Sequence, residues 1–532
     1  MDNQAQLMDK CHYSLATLYD KYKNNEYMLQ RLHTHIVNCL PNTLEYELRT
    51  HEKRIDRTNF LTNEQQTFIQ VFLQKNLYYY LPNINLFYEY NGTNYMIVRE
   101  DDIIHKLLSS ISKDRVLLDW KQKTKINILK QIKERSLFTS IPETDTIQNV
   151  LNMLCPTFFQ SKKYAEYFLT IVGDNIFKKN SHLIFLVSAK MKKLLYELDG
   201  ISSITIGINN ITSNFMAKYH ENHSYDNCRL IKMNDAVSIE LWHDILKKIG
   251  LDLLCVAVHY SHRFENSDIF VENITEDEVK NYANYIKHKS SKEIVTYFCN
   301  TYIQEDKTNN STLHVEWKNV HFVWKQFLSD NQYPNMLYST HLKTLMKEKY
   351  KFDEPTDTFY GITSKFIPVH RDFIHFWEKT INTITNVNGE MFDTELEIDE
   401  ICVLFKLWVK ENSEHKISSA NISDECILQI IKHYFKNVQI VEDKYFLNVE
   451  SLLWIKTNDI VGSFDFIKDK LTNYQLELIS FDDVYNHYCQ YCTHNAKKLV
   501  VSKRFFEKYL YYKLADHIVY EKFIEVKCIY NV

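Results

Sequence analysis

Apolar residues from 1 to about 65 fall at mixed helical spacing within a polar background. That pattern predicts helices with little core of their own. It changes at Phe68. Two strand-like runs, Leu86-Phe87-Tyr88-Glu89-Tyr90 and Tyr95-Met96-Ile97-Val98, flank Asn91-Gly92 and predict a β-hairpin near 86–98. Glu100-Asp101-Asp102 then open a helix with acids in its first turn. A basic helical segment follows from Lys106 to Arg135, ending before Ile141-Pro142. Thr144 or Asp145 is the expected cap of the next helix, which Pro156 stops.

The stretch Tyr164–Leu198 reads as helix, strand and helix. An aromatic-rich helical pattern runs into Gly173-Asp174-Asn175. Leu183 to Val187 is a short apolar run, and Ser188 stands where an N-cap belongs, before a helix bearing Lys190, Lys192 and Lys193. Further strands are expected at 203–208 and in the continuous apolar run Leu251–Val258, giving a small α/β layer. Residues 275–310 are helical and polar, and Asp306–Ser311 (DKTNNS) reads as a linker.

Beyond the linker one plan recurs three times. VEWKNVHFVWKQFL, LEIDEICVLFKLWV and FDDVYNHYCQYC are first helices. Ser339, Ser423 and Ser502 are expected to cap second helices, 84 and 79 residues apart. Strand-like runs follow each, with a tight turn at Glu442-Asp443 in the second. Helix, capped helix and hairpin is the plan of a winged helix-turn-helix. The predicted fold is therefore α+β and mostly helical, a small α/β layer followed by three winged-helix-like units. The expected divisions are a helical region at 1–140, an α/β region at 141–305, and units at 312–385, 390–475 and 478–532.

Composition narrows the chemistry. The 532 residues contain 45% hydrophobic positions, enough for real cores, and a net charge of -5, so nucleic-acid binding would need local patches. None of the eight glycines precedes Lys and no Gly-x-Gly occurs, which removes the usual phosphate loops. No Asp-x-Asp is present for a polymerase-type metal centre. His370-Arg371-Asp372 lacks the companion motifs of a kinase. The eleven cysteines show no disulfide spacing, and no run of 18 apolar residues occurs, so a reduced protein with no membrane association is expected.

Two histidine–cysteine sets have the residue types of zinc ligands: His487, Cys489, Cys492 and His494, and His220, His223, Cys228, Cys255, His259 and His262. Four ligands within eight residues rarely surround one ion, and buried cysteines pack as small hydrophobes, so no metal or other cofactor is expected.

Basic side chains give the candidate nucleic-acid contacts. From Asp102 to Arg135 there are nine Lys/Arg against four Asp/Glu, including Lys121, Lys123 and Lys125. The segment is either a solvated helix face or a phosphate-contacting surface. In a winged helix the capped helix enters the major groove by its N-terminal end. Lys497, Lys498, Lys503 and Arg504 mark that end in the third unit, and Lys343 and Lys347 lie further along the helix in the first. Asp424 and Glu425 would repel phosphate in the second, which reads as a protein-contact unit.

LLDWKQKTKINILKQIKERSLFTSIPETDTIQNVL (117–151), YAEYFLTIVGDNIF (164–177) and SFDDVYNHYCQYC with VVSKRFFEKYL resemble parts of the primase-helicases of large nucleocytoplasmic DNA viruses. The resemblance covers about 68–200 and 480–532 and implies a superfamily 3 ATPase region with a C-terminal winged helix. Where that family's glycine loop follows its strand, this chain has Ser188-Ala189-Lys190-Met191-Lys192-Lys193. The resemblance thus implies a non-catalytic relative working in viral DNA replication or transcription, in the host cytoplasm at a viral factory or in the virion. Implied partners are DNA, with RNA as the alternative, and other viral replication or transcription proteins. A structural scaffold of the virion or factory and a divergent NTPase are the rival readings.

Overall fold

The computed structural model describes residues 2–114, 116–219, 224–234, 237–305, 313–384, 392–412, 422–472 and 477–530. The 306–311 linker, His220 and His223 lie outside them. The class is α+β and mostly helical, about 63% helix with small sheets. Two compact units divide between Lys287 and His288.

The first unit opens with three helices, α1 (Asp2–Tyr22), α2 (Glu26–Thr34) and α3 (Leu40–Lys75), the last two joined by a π turn at His35–Cys39. Asn25 caps α2 by accepting from the Met28 amide at 3.1 Å. Apolar burial starts only at Leu61. From there α3 packs Ile69, Phe72 and Leu73 against an antiparallel sheet of β1 (Leu77–Leu81), β2 (Leu86–Tyr90) and β3 (Tyr95–Val98). The hairpin is at the expected place, with Tyr90 opposite Tyr95. Its loop has four residues, held by Asn91 Oδ1 accepting from the amides of Thr93 and Asn94 at 2.9 and 2.8 Å. The missed strand, β1, is LYYYL, which lacks polar alternation.

The basic segment is two helices, α4 (Glu100–Asp114) and α5 (Lys121–Lys133), separated by a 3-10 turn at Leu118–Trp120. Burying Leu117 at this break turns the chain so that α5 sets Ile128 and Ile132 into the same core. Helix α6 (Thr144–Leu154) has Glu143 at its N-cap. Neither expected cap is used: Thr146, one turn in, is buried instead, with its hydroxyl on the Thr93 carbonyl at 2.5 Å.

Helix α7 (Lys162–Ile176), strand β4 (Ile184–Leu186) and helix α8 (Ala189–Thr205) follow. Strands β5 (Phe215–Met216) and β6 (Cys228–Leu230) flank β4 in parallel. The α/β layer thus exists, but two of its three expected strands are helix or coil. Residues 203–205 close α8, and Leu251–Val258 lies inside the 25-residue helix α9 (Ile239–Arg263). A continuous apolar run carries no period, so a helix buried on nearly every side reads the same as a buried strand. Helices α10 (Ser267–Asn273) and α11 (Asp277–Ala283) complete the unit.

The α7–α9 crossing organises this core. Gly173 is an interior residue of α7, not a turn, and a Cβ there would lie 2.1 Å from the Ala257 carbonyl oxygen. Beside it Asp174 is buried and accepts from Ser261 Oγ and the Ser267 amide, both at 2.6 Å. On α9, Asp252 accepts from the Tyr95 amide at 2.6 Å and Asn94 Nδ2 at 3.1 Å, tying the hairpin to the crossing. Burial pushes its carboxyl up to about 6.

The second unit repeats one topology. The first repeat is α12 (Ser291–Tyr302), β7 (Gln304–Glu305), β8 (His314–Glu316), α13 (Trp317–Asp330), α14 (Ser339–Lys349), β9 (Phe352–Asp353), β10 (Thr358–Tyr360) and β11 (Ile362–Thr363). The second is α15 (Ile367–Thr380), β12 (Ile381–Thr383), β13 (Glu395–Glu397), α16 (Ile398–Glu411), α17 (Asp424–Tyr434), β14 (Gln439–Val441), β15 (Tyr445–Leu447) and β16 (Val449–Ser451). The third is α18 (Lys456–Val461), α19 (Phe464–Leu471), β17 (Leu478–Ser480), α20 (Phe481–His494), α21 (Lys503–Leu514), β18 (Ile518–Val519), β19 (Phe523–Glu525) and α22 (Val526–Ile529).

Each repeat pairs the strand before its two helices with the last strand of its hairpin, in the orders β8-β10-β9, β13-β15-β14 and β17-β19-β18. The first two also share an accessory pair, β7 with β11 and β12 with β16. A leading helix and a strand therefore belong to every repeat; of the leading helices only the first, α12, falls in a stretch expected to be helical, 275–310. Ser423 caps α17, accepting from the Cys426 amide at 3.3 Å. Ser502 holds the cap position of α21 without such a bond. Ser339 is not a cap: the extended residue before α14 is Tyr338, whose carbonyl takes the first helical bond from Leu342 at 2.9 Å.

Replacing Gly173 by Ala should destabilise the chain by about 1–3 kcal/mol through overpacking. Helix propensity alone would favour alanine by roughly 1 kcal/mol. Denaturant unfolding decides the sign, and a neutral or stabilising result contradicts the close crossing.

Candidate nucleic-acid interface

At the strand–helix joint of the first unit, Ser188 Oγ accepts from the Met191 amide at 3.0 Å. The helix start is thus closed by a side chain and has no loop to wrap a phosphate. Lys192 turns inward, donating to the Thr212 carbonyl at 3.0 Å, and burial lowers its pKa. Lys190 is half-buried, and Lys193 is exposed.

Helix α5 carries five lysines and no acid. Lys123 lies 3.9 Å from the centre of the Trp120 ring, and Lys133 meets Glu100 at 3.6 Å. Lys121, Lys125 and Lys130 make no ion pair among the described residues. The nearby Asp119 pairs with Arg57 at 3.0 Å.

In the first repeat the candidate cations are matched by the turn between β9 and β10. Lys343 pairs with Asp357 and Lys347 with Glu354, and Lys347 also sits 4.4 Å from the Phe352 ring centre. These lysines bind their own hairpin.

The second helix of the second repeat, α17, is covered by the first repeat. Gln429 Nε2 donates to Ser329 Oγ at 3.2 Å, and Tyr434 OH to Asn319 Oδ1 at 2.7 Å. His433 Nε2 donates to the Lys318 carbonyl at 3.0 Å, which leaves Nδ1 to accept from the Lys325 ammonium at 3.0 Å. His321 and Phe322 of α13 lie tilted against the same ring, and His370 of α15 meets Phe322 edge-on at 4.5 Å. Burial pushes His321, His370 and His433 down to about 4, helped by Lys325 beside His321 and His433 and by His433 beside His370.

The second helix of the third repeat, α21, lies on the second repeat. Arg504 sits 3.9 Å from the Tyr445 ring centre with Nε 3.2 Å from Glu395 Oε1, a contact of charges without hydrogen-bond alignment. Lys508 reaches Glu395 Oε2 at 3.5 Å and donates to the Asp393 carbonyl at 2.8 Å. Beneath them Lys456 donates to Glu400 Oε2 at 2.7 Å and to the Glu395 carbonyl at 3.0 Å, 4.2 Å from the Phe505 ring centre. Both members of this pair are buried, which pushes Glu400 up and Lys456 down. Lys503 pairs with Asp482, and Lys497 with Asp459 at 2.9 Å. Lys498 is exposed and makes no ion pair among the described residues.

Among the described residues neither zinc set converges. His487, Cys489, Cys492 and His494 all lie on α20, with Cys492 buried and His494 exposed beside Phe466. Cys255, His259 and His262 lie on α9, where His262 stacks on Phe177 at 4.6 Å, and Cys228 is on β6. Among the described residues the ligand-type cluster that does converge is His517, Glu525 and Cys528, with ligand atoms within 4.8 Å. Sequence reasoning missed it because its members come from a short turn, a strand end and a four-residue helix.

No helix among the described residues is long and apolar enough to cross a membrane. Comparison with protein-family models, curated proteins and solved structures finds no significant match.

Two outcomes follow for the repeats. Lys456→Met should destabilise the chain by about 3–5 kcal/mol, because it strands a buried carboxylate, and adding Glu400→Leu should recover most of that loss. Equal loss in the single and double variants, measured by denaturant unfolding, contradicts the pair. The three histidines titrate lower in the folded chain, so their contribution is complete above pH 6.5 and falls away as pH drops toward about 4. Melting temperature should decline through that window, less steeply in His433→Gln. Identical slopes contradict the assignment.

Proposed function

We propose that this chain is a non-catalytic nucleic-acid-binding scaffold of viral DNA replication or transcription, a relative of the primase-helicases of large DNA viruses without a nucleotide site. The three repeats are read as winged helices by their element order and their first–third–second strand order. The observation that carries the reading is a division of labour among helices. Those that would enter a groove in the second and third repeats contact the preceding repeat, whereas four of the five lysines of α5, Lys121, Lys123, Lys125 and Lys130, make no ion pair among the described residues. Phosphate contact is therefore assigned first to Lys121, Lys123, Lys125 and Lys130. Lys190, Lys193 and Lys498 are secondary candidates, and the third repeat, whose Lys497, Lys503 and Arg504 meet acids, is placed behind α5 as the reader.

The capped joint at Ser188 supports the absence of ATP turnover. Cytoplasmic viral factories, or the virion, are the proposed location, with other replication or transcription proteins as partners. A purely structural role is the second reading, favoured by the commitment of α17 and α21 to protein contacts.

A salt series of DNA and RNA binding tests this. Affinity should fall steeply with salt. Lys121→Glu, Lys125→Glu and Lys130→Glu together should cut the log–log salt slope by about 3. Lys498→Glu should change it by about 1 or less. Salt-independent binding, no binding, or an unchanged slope in the triple variant would leave the structural reading in its place.

A further inference from the structure

Between residues 4 and 60 no side chain is buried, and the first buried one is Leu61. Yet this arm is helical almost throughout. On α3, Leu40, Leu44, Leu48 and Ile55 are 48, 54, 56 and 45% exposed. At about 100° per residue these four fall within roughly 80° of helix arc, one apolar stripe. An uncovered stripe of this kind marks an interaction surface.

The charges beside it identify the occupant. Residues 40–52 contain Glu45, Glu47 and Glu52 against Arg49, whereas 53–57 contain Lys53, Arg54 and Arg57 against Asp56. One half of the exposed helix is acidic and the other basic, by equal amounts. We propose that α3 pairs antiparallel with α3 of a second copy of this chain. A two-fold axis then sets each acidic half against a basic half, as a self-complementary interface requires. Parallel pairing would oppose like charges.

Glu47 and Arg54 lie seven residues apart, on the same edge of the stripe, and neither makes an ion pair among the described residues. In the antiparallel pair Glu47 of each copy meets Arg54 of the other, and the leucines of the stripe fill the seam between the helices. The arm reaches the body of its own unit through Arg57 and Asp119 at 3.0 Å and through the core that begins at Leu61, so the stripe itself is left for the partner.

Sedimentation velocity of the full chain over a concentration series tests the proposal. A concentration-dependent dimer is expected. Leu44→Asp with Leu48→Asp should give a monomer with unchanged helical circular dichroism, because neither side chain supports the core. Glu47→Lys should weaken the dimer by about tenfold. Adding Arg54→Glu should restore it. A monomer up to about 100 µM, a dimer indifferent to the leucine changes, or a double charge reversal no tighter than Glu47→Lys alone would each overturn the proposal.

Discussion

The buried pair of Lys456 and Glu400 sets what the second unit can do. A desolvated ammonium and carboxylate hold their charges only while each remains the other's partner. The pair therefore fixes the place where the third repeat meets the second. Above it, Phe505, Arg504 and Lys508 of α21 close over Lys456 and Glu395. The joint between the first and second repeats works differently. There α17 is held by hydrogen bonds and by neutral histidines rather than by an ion pair. Both joints use the same element of the repeat, the second of its paired helices, for contact with the preceding repeat.

The first unit obeys a constraint of close approach. Gly173 lets α7 touch the backbone of α9, and the two carboxylates buried there are both answered: Asp174 by Ser261 and Ser267, Asp252 by the hairpin. Lys179 donates to the carbonyls of Ser261 and Glu265 at 3.0 and 2.7 Å, closing the end of α9. Around this crossing the parallel strands are short, and β4 delivers the chain into a helix that Ser188 caps at 3.0 Å.

Much of the architecture was legible in the sequence, and the failures have physical causes. The hairpin near 86–98 showed because alternating runs flank Asn-Gly. Ser188 and Ser423 showed because a hydroxyl before a periodic run has one economical use. The run Leu251–Val258 misled because burial on all sides erases periodicity, although Asp252 in its midst hinted at a helix with a polar contact to make. The candidate interface was less legible. Charge can be counted along a chain, but pairing is spatial. Nothing local to Lys503 or Arg504 signals that Asp482 and Glu395 wait for them. For α5 the absence of any acid was legible in the sequence, because it is a matter of composition and not of pairing.

The claim that α5, and not the capped helices of the repeats, faces phosphate can be read directly from lysine reactivity. Acetylation of the full chain would be followed by mass spectrometry with and without duplex DNA. Protection is expected at Lys121, Lys125 and Lys130, with Lys497, Lys498 and Lys503 unchanged. Protection confined to the latter three, with α5 equally reactive in both states, would contradict the account.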